Sequence, residues 1–516
     1  HELYRLREMG FDVVGIERGG AVGGTWYWNR YPGARVDSQY YVYQYWFNDE
    51  ILNEWQWSEM FPAQPETERY LNFVADKLDL RKDFRFNTEV VSAEFDESTK
   101  RWTVTTDHGD IIDAQHFVCC VGMLSAGVEP PFPGKEDFKG MICHTSRWPQ
   151  EAVDFTGKTV GVVGVGATGI QVIQSVAPVC DNLKVFQRTP QYTIAMNNPK
   201  LSEKDREQRR AEYPEIRERA FSSFAGFDYD FNNGSFWDHT PEQRRKILDE
   251  LWEDGSLNFW IGSFFEVFTD EEANKEISDY VRERICERVD DPETAEKLLP
   301  RDYGFGTRRV PLDTNYFETY NRDNVELVNV KDDAIERITE KGLRLKSGKE
   351  YPLDILVLAT GFDGGSGSFT RIDIRGRNGV TLKEKWDADL RTTLGLQVHG
   401  FPNLFTVGAP LAPSAAFCNM MTCLVQQGQW VADTIGYLRD NDLQSIEPSK
   451  EVEDEWVEHH DEIANMTLVP NTKSWYTGYN IEGKSHRLIS YIGGDGAYSQ
   501  RCEEIRESGY KGFELE

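Results

Sequence analysis

Three features of this 516-residue sequence predict an α/β fold made of two Rossmann-like dinucleotide-binding domains with a helical insertion. The apolar run 158–163 enters Gly164, Gly166 and Gly169 in GxGxxG spacing and continues as an apolar helix over 170–177. Near the start, the run 12–17 is β-rich and apolar and ends on the acid Glu17. Between about 200 and 300 the chain turns into charged amphipathic segments, each opened by an N-cap signal.

Taken in order, residues 3–10 read as a helix stopped by Gly10, and 12–17 as the strand that follows it. Mononucleotide-binding halves end such a strand in an acid that accepts from a ribose hydroxyl, which gives Glu17 its place. The first strand and GxGxxG turn that should precede the helix are absent, so the sequence is expected to be a fragment. The other reading is a half-site unable to grip a pyrophosphate. The second half-site is complete. Its glycines permit a tight turn and let the helix N-terminus, with Thr168 in its first turn, meet a pyrophosphate. The next strand, 183–186, runs into Arg188 and Thr189 where an NAD site would carry an acid. A cation there pairs with a 2′-phosphate, so NADP(H) is expected over NAD(H), the plain alternative being a solvated loop charge.

Boxes at Thr240 to Gln243 and Thr269 to Glu272, and the Asp291-Pro292-Glu293 start, open the helices of the insertion. Strand patterns return at 325–328 and 343–345, and 355–358 breaks into a turn at Gly361, as 117–121 does at Gly122. Such strand-to-glycine edges let the chain cross between domains. The expected layout is a first domain over 1–123 and 361–516, a second over 124–195 and 303–360, and the insertion over 196–302. From Lys450 a helix leads to an aromatic, glycine-rich loop at Trp475.

Composition narrows the function. A net charge of −30 argues against nucleic acid and against an anionic membrane surface, because both bind through cations. No window holds the roughly 18 consecutive apolar residues of a membrane span, and the N-terminus lacks the apolar core of a signal peptide. Eight cysteines form no CxxC or Cys/His ladder, so neither a disulfide framework nor a metal site is expected. Cys418 and Cys423 are expected to flank a buried helix start, and His459 and His460, set among acids, to be solvated. A cytoplasmic setting follows as the expectation. With 13% aromatic residues, the chain suits flat or bulky apolar ligands.

Two stretches carry the chemistry. Phe138, Gly140, His144, Trp148 and Pro149 stand in an FxGxxxHxxxWP pattern, and residues 23–37 follow GGxWxxxxYPGxxxD, closing on Asp37. Together they resemble the type I Baeyer–Villiger monooxygenases, with the phenylacetone and cyclohexanone monooxygenase branch nearest. The resemblance covers essentially the whole chain. It implies FAD in the first domain and NADPH in the second, and a C4a-peroxyflavin that inserts one atom of O2 next to a ketone carbonyl to give an ester or lactone. It places Arg309 as the catalytic cation, with Asp37 orienting it, and Arg308 in place of a family lysine at the NADPH 2′-phosphate. Gly24, Thr25, Trp26 and Tyr43 join Glu17 as flavin-side residues. Trp475 matches a tryptophan that contacts NADP and substrate. For His144 a hinge or structural role is preferred to a catalytic one.

Ser414, Phe417, Cys418 and Met420 are expected to line part of the substrate pocket, with room for a cyclic or aryl ketone. The expected partners are a small ketone and O2, and the expected state is a monomer or weak homo-oligomer. Two alternatives stay open: an N- or S-oxygenating flavin monooxygenase, and a truncated NADP-binding protein without flavin chemistry.

Overall fold

Uninterrupted β-branched and apolar runs make strands that can be buried on both faces. The computed structural model, which describes residues 1–516, assembles five of them into one parallel sheet. Its order is Val325–Asn329, Asn182–Gln187, Thr159–Val163, Ile355–Leu358 and Met141–His144. Val163 lies beside both Phe186 and Leu358, so the central strands end level and the turns that follow them open along one edge. The helix Ala167–Val176 starts there from its N-cap Gly166.

The remaining strands form smaller sheets. Gly15–Ile16 pairs in parallel with Phe84–Arg85, and Phe117–Cys119 with Leu404–Thr406. A four-stranded sheet sets Asp373–Arg375 against the meander Val90–Asp96, Arg101–Thr106 and Ile111–Ala114. Of the run 12–17, two residues alone are strand, because the ladder with Phe84–Arg85 reaches no further. The two crossings between sheets lie antiparallel to each other, with Val128 N–H donating to Gly361 at 3.0 Å and Asp363 N–H to Ala126 at 2.8 Å.

Seven α-helices lie within the stretch 196–302: Glu203–Ala211, Tyr213–Ser222, Pro241–Asp254, Asn258–Ile261, Glu266–Thr269, Glu271–Cys286 and Pro292–Leu298. Thr240 and Gln243 close the expected capping box, and Asp291 caps its own helix. The third start is displaced by one residue. Thr269 ends the preceding helix, so the cap falls to Asp270, which accepts from Glu272 N and Ala273 N. The insertion shares one apolar core with the parallel sheet and with aromatic residues of 40–61.

His460 departs from expectation. On the helix Lys450–Asn465 it falls on the same side as Trp456 and Ala464, four residues away in each direction, and that side packs inward, leaving His460 buried. His459 is exposed, as expected, and stacks on Tyr491, meeting its hydroxyl at 3.1 Å. All eight cysteines are free, and no helix is long and apolar enough to cross a membrane.

The stretch 31–35 docks on the helix Ala167–Val176. Tyr31 donates its hydroxyl to Gln171 Oε1 at 3.1 Å, and Gln171 Nε2 returns a bond to the Arg35 carbonyl at 3.1 Å. Between them Gly33 has φ +81°, and a Cβ there would lie 2.1 Å from Ser175 Oγ and 2.3 Å from the Gln171 carbonyl. Both the left-handed backbone and the lack of space require glycine. Gly33→Ala is expected to cost about 3 kcal/mol of stability, read as a shifted denaturant midpoint at unchanged slope. An unchanged midpoint would contradict this docking.

Candidate active site

Two residues beyond the docked stretch stands Asp37. Arg309 Nη2 donates to Asp37 Oδ2 at 3.2 Å, and its Nη1 to the Ala415 carbonyl at 3.3 Å. The guanidinium carbon lies 5.8 Å from the centre of the Trp260 ring. Gln191 Nε2 fixes the Arg309 main chain, donating to its carbonyl at 2.7 Å. The Asp37 side chain is 9% exposed and that of Arg309 25%, so the pair sits in largely dry surroundings with the cation facing outward. Burial pushes the Asp37 carboxyl above its ordinary value, and the Arg309 charge opposes the rise. Asp37 Oδ1 has no hydrogen-bond partner. Single-pronged bonds at the long end of the range leave most of the five guanidinium N–H groups uncommitted. The arrangement can therefore hold a second anion against Arg309.

The glycines of the GxGxxG turn have separable reasons. Gly164, φ +102°, would place a Cβ 2.5 Å from the Ala359 carbonyl, and Gly169 one 2.1 Å from the Gly164 carbonyl. Gly166 faces open space, with nothing within 4 Å of its Cβ position. Protein packing explains the outer two, while the open middle glycine at a helix N-terminus fits close approach of a pyrophosphate. Thr168 occupies the first turn of that helix, and Arg188 and Thr189 follow the strand Asn182–Gln187. Arg308 lies over the Tyr303 ring at 4.3 Å and donates to the Lys473 carbonyl at 2.7 Å, while its buried Nε has no partner. Burial lowers its pKa; the Tyr303 hydroxyl resists that fall and the nearby Arg188 charge deepens it. Two neighbouring cations, neither of them in a salt bridge, suit a 2′-phosphate.

On the flavin side, Glu17 Oε1 accepts from Gly19 N–H at 2.5 Å, and burial raises its carboxyl. Gly24, φ +50°, caps the helix Thr25–Trp28 and has nothing within 4 Å of its Cβ position. Trp26 Nε1 donates to the Tyr43 hydroxyl at 3.0 Å, the rings edge-on at 89°. Burial lifts the Tyr43 phenol to about 12, so it stays protonated. Gly24 and Thr25 are exposed beside this aromatic pair, a surface that a flat ring system could cover.

The fingerprint residues are structural in their contacts. Ser146 N–H donates to His144 Nδ1 at 3.2 Å, which assigns the ring proton to Nε2, and Nε2 faces the Val128 carbonyl at 3.1 Å and Thr360 Oγ1 at 3.2 Å. His144 thereby ties together the two crossings between sheets, as a hinge residue would, and none of its bonds is to Asp37 or Arg309. A Cβ at Gly140 would lie 2.3 Å from the Asp354 carbonyl, beside the Phe138 ring. Trp148 is buried on Phe155, and Pro149 follows it half-exposed.

Of the expected pocket residues, Phe417 packs on Tyr476 at 5.1 Å, Phe268 at 6.0 Å and Trp260 at 6.2 Å. Ser414 is buried with its hydroxyl unpartnered, and Met420, half-buried, begins the helix Met420–Asp440. Trp475 is half-buried against Tyr476, 4.5 Å between rings. Trp260, Gln191 and Tyr303 complete the surroundings of the two arginines. No sequence pattern marks them, because each reaches the site through the fold rather than from a motif.

Behind the pocket segment, Asp495 is 1% exposed with neither carboxylate oxygen bonded. Burial raises it from 3.8 to about 7, with the Cys418 thiol opposing, and Cys418 itself is pushed up and remains a thiol. Because the folded pKa exceeds the unfolded one, the contribution of Asp495 to stability is fully present below about pH 4 and is lost as pH climbs through 7. Asp495→Asn removes this titration. From pH 4.5 to pH 8 its stability relative to the parent is expected to rise by on the order of 3 kcal/mol, measured by denaturant unfolding; parallel profiles would contradict it.

A family model described as flavin-binding monooxygenase-like matches residues 7–198. The chain is 52% identical over 515 residues to the acetone monooxygenase (methyl acetate-forming) of Gordonia sp. (strain TY-5), covering 100% of this chain and 96% of that one. It is 40% identical over 512 residues to a Baeyer–Villiger monooxygenase of Pseudooceanicola batsensis, covering 99% and 93%. The crystal structure of the OTEMO complex with FAD and NADP superposes with a TM-score of 0.96 at 39% identity, over 100% of this chain and 97% of that one. At this identity over the full length, the chain belongs to the Baeyer–Villiger monooxygenases within the flavin-binding monooxygenase-like family.

Proposed function

We propose that the protein uses FAD and NADPH to insert one oxygen atom of O2 next to the carbonyl of a compact ketone, giving an ester or lactone. The observation that carries this reading is the half-open Arg309–Asp37 pair, a fixed cation with free donors in dry surroundings. When bound, FAD reduced by NADPH supplies the activated oxygen. Arg309 holds negative charge on the attacking oxygen and on the former carbonyl oxygen, where preorganised donors count for more than in water. A guanidinium suits the task because it keeps its proton at any working pH. Asp37 orients Arg309 through Nη2 and leaves the other N–H groups free. Trp260, Phe417 and Tyr476 keep water from the pair.

On this reading residues 1–123 and 361–516 hold FAD, 124–195 and 303–360 hold NADPH, and 196–302 closes over the site. Gly164, Gly166, Gly169 and Thr168 cradle the NADPH pyrophosphate, Arg188, Thr189 and Arg308 its 2′-phosphate, and Trp475 contacts it from the C-terminal loop. Glu17 takes the FAD ribose, while Gly24, Thr25, Trp26 and Tyr43 border the flavin. The aromatic walls beside Arg309, and the acetone-oxidising relative at 52% identity, favour a small ketone.

Arg309→Ala is expected to keep NADPH-driven flavin reduction and to lower ester formation about 100- to 1,000-fold, followed by product chromatography. Ester at the parental rate would overturn the assignment. Arg308→Ala should raise KM for NADPH about tenfold and leave KM for NADH unchanged. Equal changes with both cofactors would remove Arg308 from the phosphate site.

A further inference from the structure

Arg308 and Arg309 are adjacent in sequence and diverge in space, each over its own aromatic ring. Arg308 lies over Tyr303 at 4.3 Å and Arg309 over Trp260 at 5.8 Å. The second ring comes from the insertion, on the short helix Asn258–Ile261, and is fully buried. Phe268 and Phe417 close on it, both at 6.2 Å between ring centres.

The loop that carries Arg309 is shaped around this indole. Gly306 has φ +79°, and a Cβ there would lie 2.5 Å from Trp260 Nε1. One side chain therefore touches the main chain three residues before Arg309 and also faces the Arg309 charge. The indole Nε1 has no hydrogen-bond partner, so the ring is used here for its face and its shape, and not for its donor. The polar restraints on the guanidinium are weak by comparison, single bonds of 3.2 and 3.3 Å to Asp37 and to the Ala415 carbonyl. A cation over an indole in dry surroundings is attracted to the ring quadrupole, and the attraction grows as water is excluded.

We propose that Trp260 is a positioning residue for the oxygen-insertion step: its ring face holds the Arg309 guanidinium towards Asp37, and Tyr303 draws Arg308 the other way. This rests on the role assigned to Arg309. It follows that an insertion far from either motif in sequence sets the direction of the catalytic charge.

The test uses the full-length, FAD-loaded protein with Trp260→Phe, which keeps a ring, and Trp260→Leu, which removes it. Two readouts are needed: ester formation, and the guanidinium Nε resonance of Arg309 in arginine-labelled protein, assigned by its disappearance in Arg309→Lys. Trp260→Phe is expected to retain the upfield, ring-shifted resonance and kcat within about threefold. Trp260→Leu is expected to lose the shift and about tenfold in kcat, with KM for NADPH and the rate of flavin reduction unchanged. Should Trp260→Leu fail to fold, Gly306→Ala displaces the indole from the opposite edge and must move the same resonance. An Arg309 resonance left at its parental position by Trp260→Leu or by Gly306→Ala, or equal kcat losses in the Phe and Leu variants with a lowered Tm, would overturn the proposal. If the resonance moves as expected but Arg309→Lys makes ester at the parental rate, the positioning stands and the role of Arg309 falls.

Discussion

A buried carboxylate facing a single cation is the constraint around which this molecule is arranged. Asp37 and Arg309 lie 272 residues apart in the chain and meet across a contact between separately built parts. Neither could be buried alone, because removing one partner of a buried ion pair costs about 3–5 kcal/mol. Asp37 is fixed by the stretch 31–35, clamped to the helix Ala167–Val176. Arg309 is fixed from the other side. Three residues on, the strand Leu312–Asp313 pairs with Ile194–Ala195, and Asp313, fully buried, is held by Arg288 at 2.5 Å. The helix Ala167–Val176, which carries the open Gly166 at its N-terminus, supports the acid through its flank, so the proposed cofactor site and the proposed catalytic pair share one rigid element.

The glycines show how far a motif alone can be read. Gly164, Gly166 and Gly169 have the same weight in a GxGxxG pattern. In the fold the first and third are demanded by neighbouring carbonyls and the second by nothing in the protein. Which glycine of the three is left open is set by the packing around it, which no sequence pattern contains. Gly33 in the other motif is the converse: it reads as part of a site signature, and its cause is contact with Gln171 and Ser175 of a distant helix.

Local signals account for much of what the sequence makes legible. The strand, turn and helix at 159–176 follow from periodicity and glycine spacing, and the Thr240 box from cap chemistry. The resemblance to a family, not periodicity, singles out Asp37, Arg308 and Arg309, and the fold brings Asp37 and Arg309 together. What is hidden depends on long-range packing. The inward turn of His460 is masked by the acids around it, although its spacing from Trp456 and Ala464 carries the signal. Asp270 replaces Thr269 as a cap because the preceding helix extends one residue further. Trp260 has no local signature at all, since its significance lies in which loop is wrapped around it.

The central claim is that the Arg309–Asp37 pair serves oxygen transfer to a ketone carbonyl. It is tested most directly by turning over NADPH and acetone under 18O2 and weighing the product. The account predicts methyl acetate carrying one 18O in its bridging position, with one NADPH oxidised and the second oxygen atom released as water. NADPH oxidation with all the label recovered as hydrogen peroxide, and no labelled ester from acetone or from a small cyclic ketone, would contradict it.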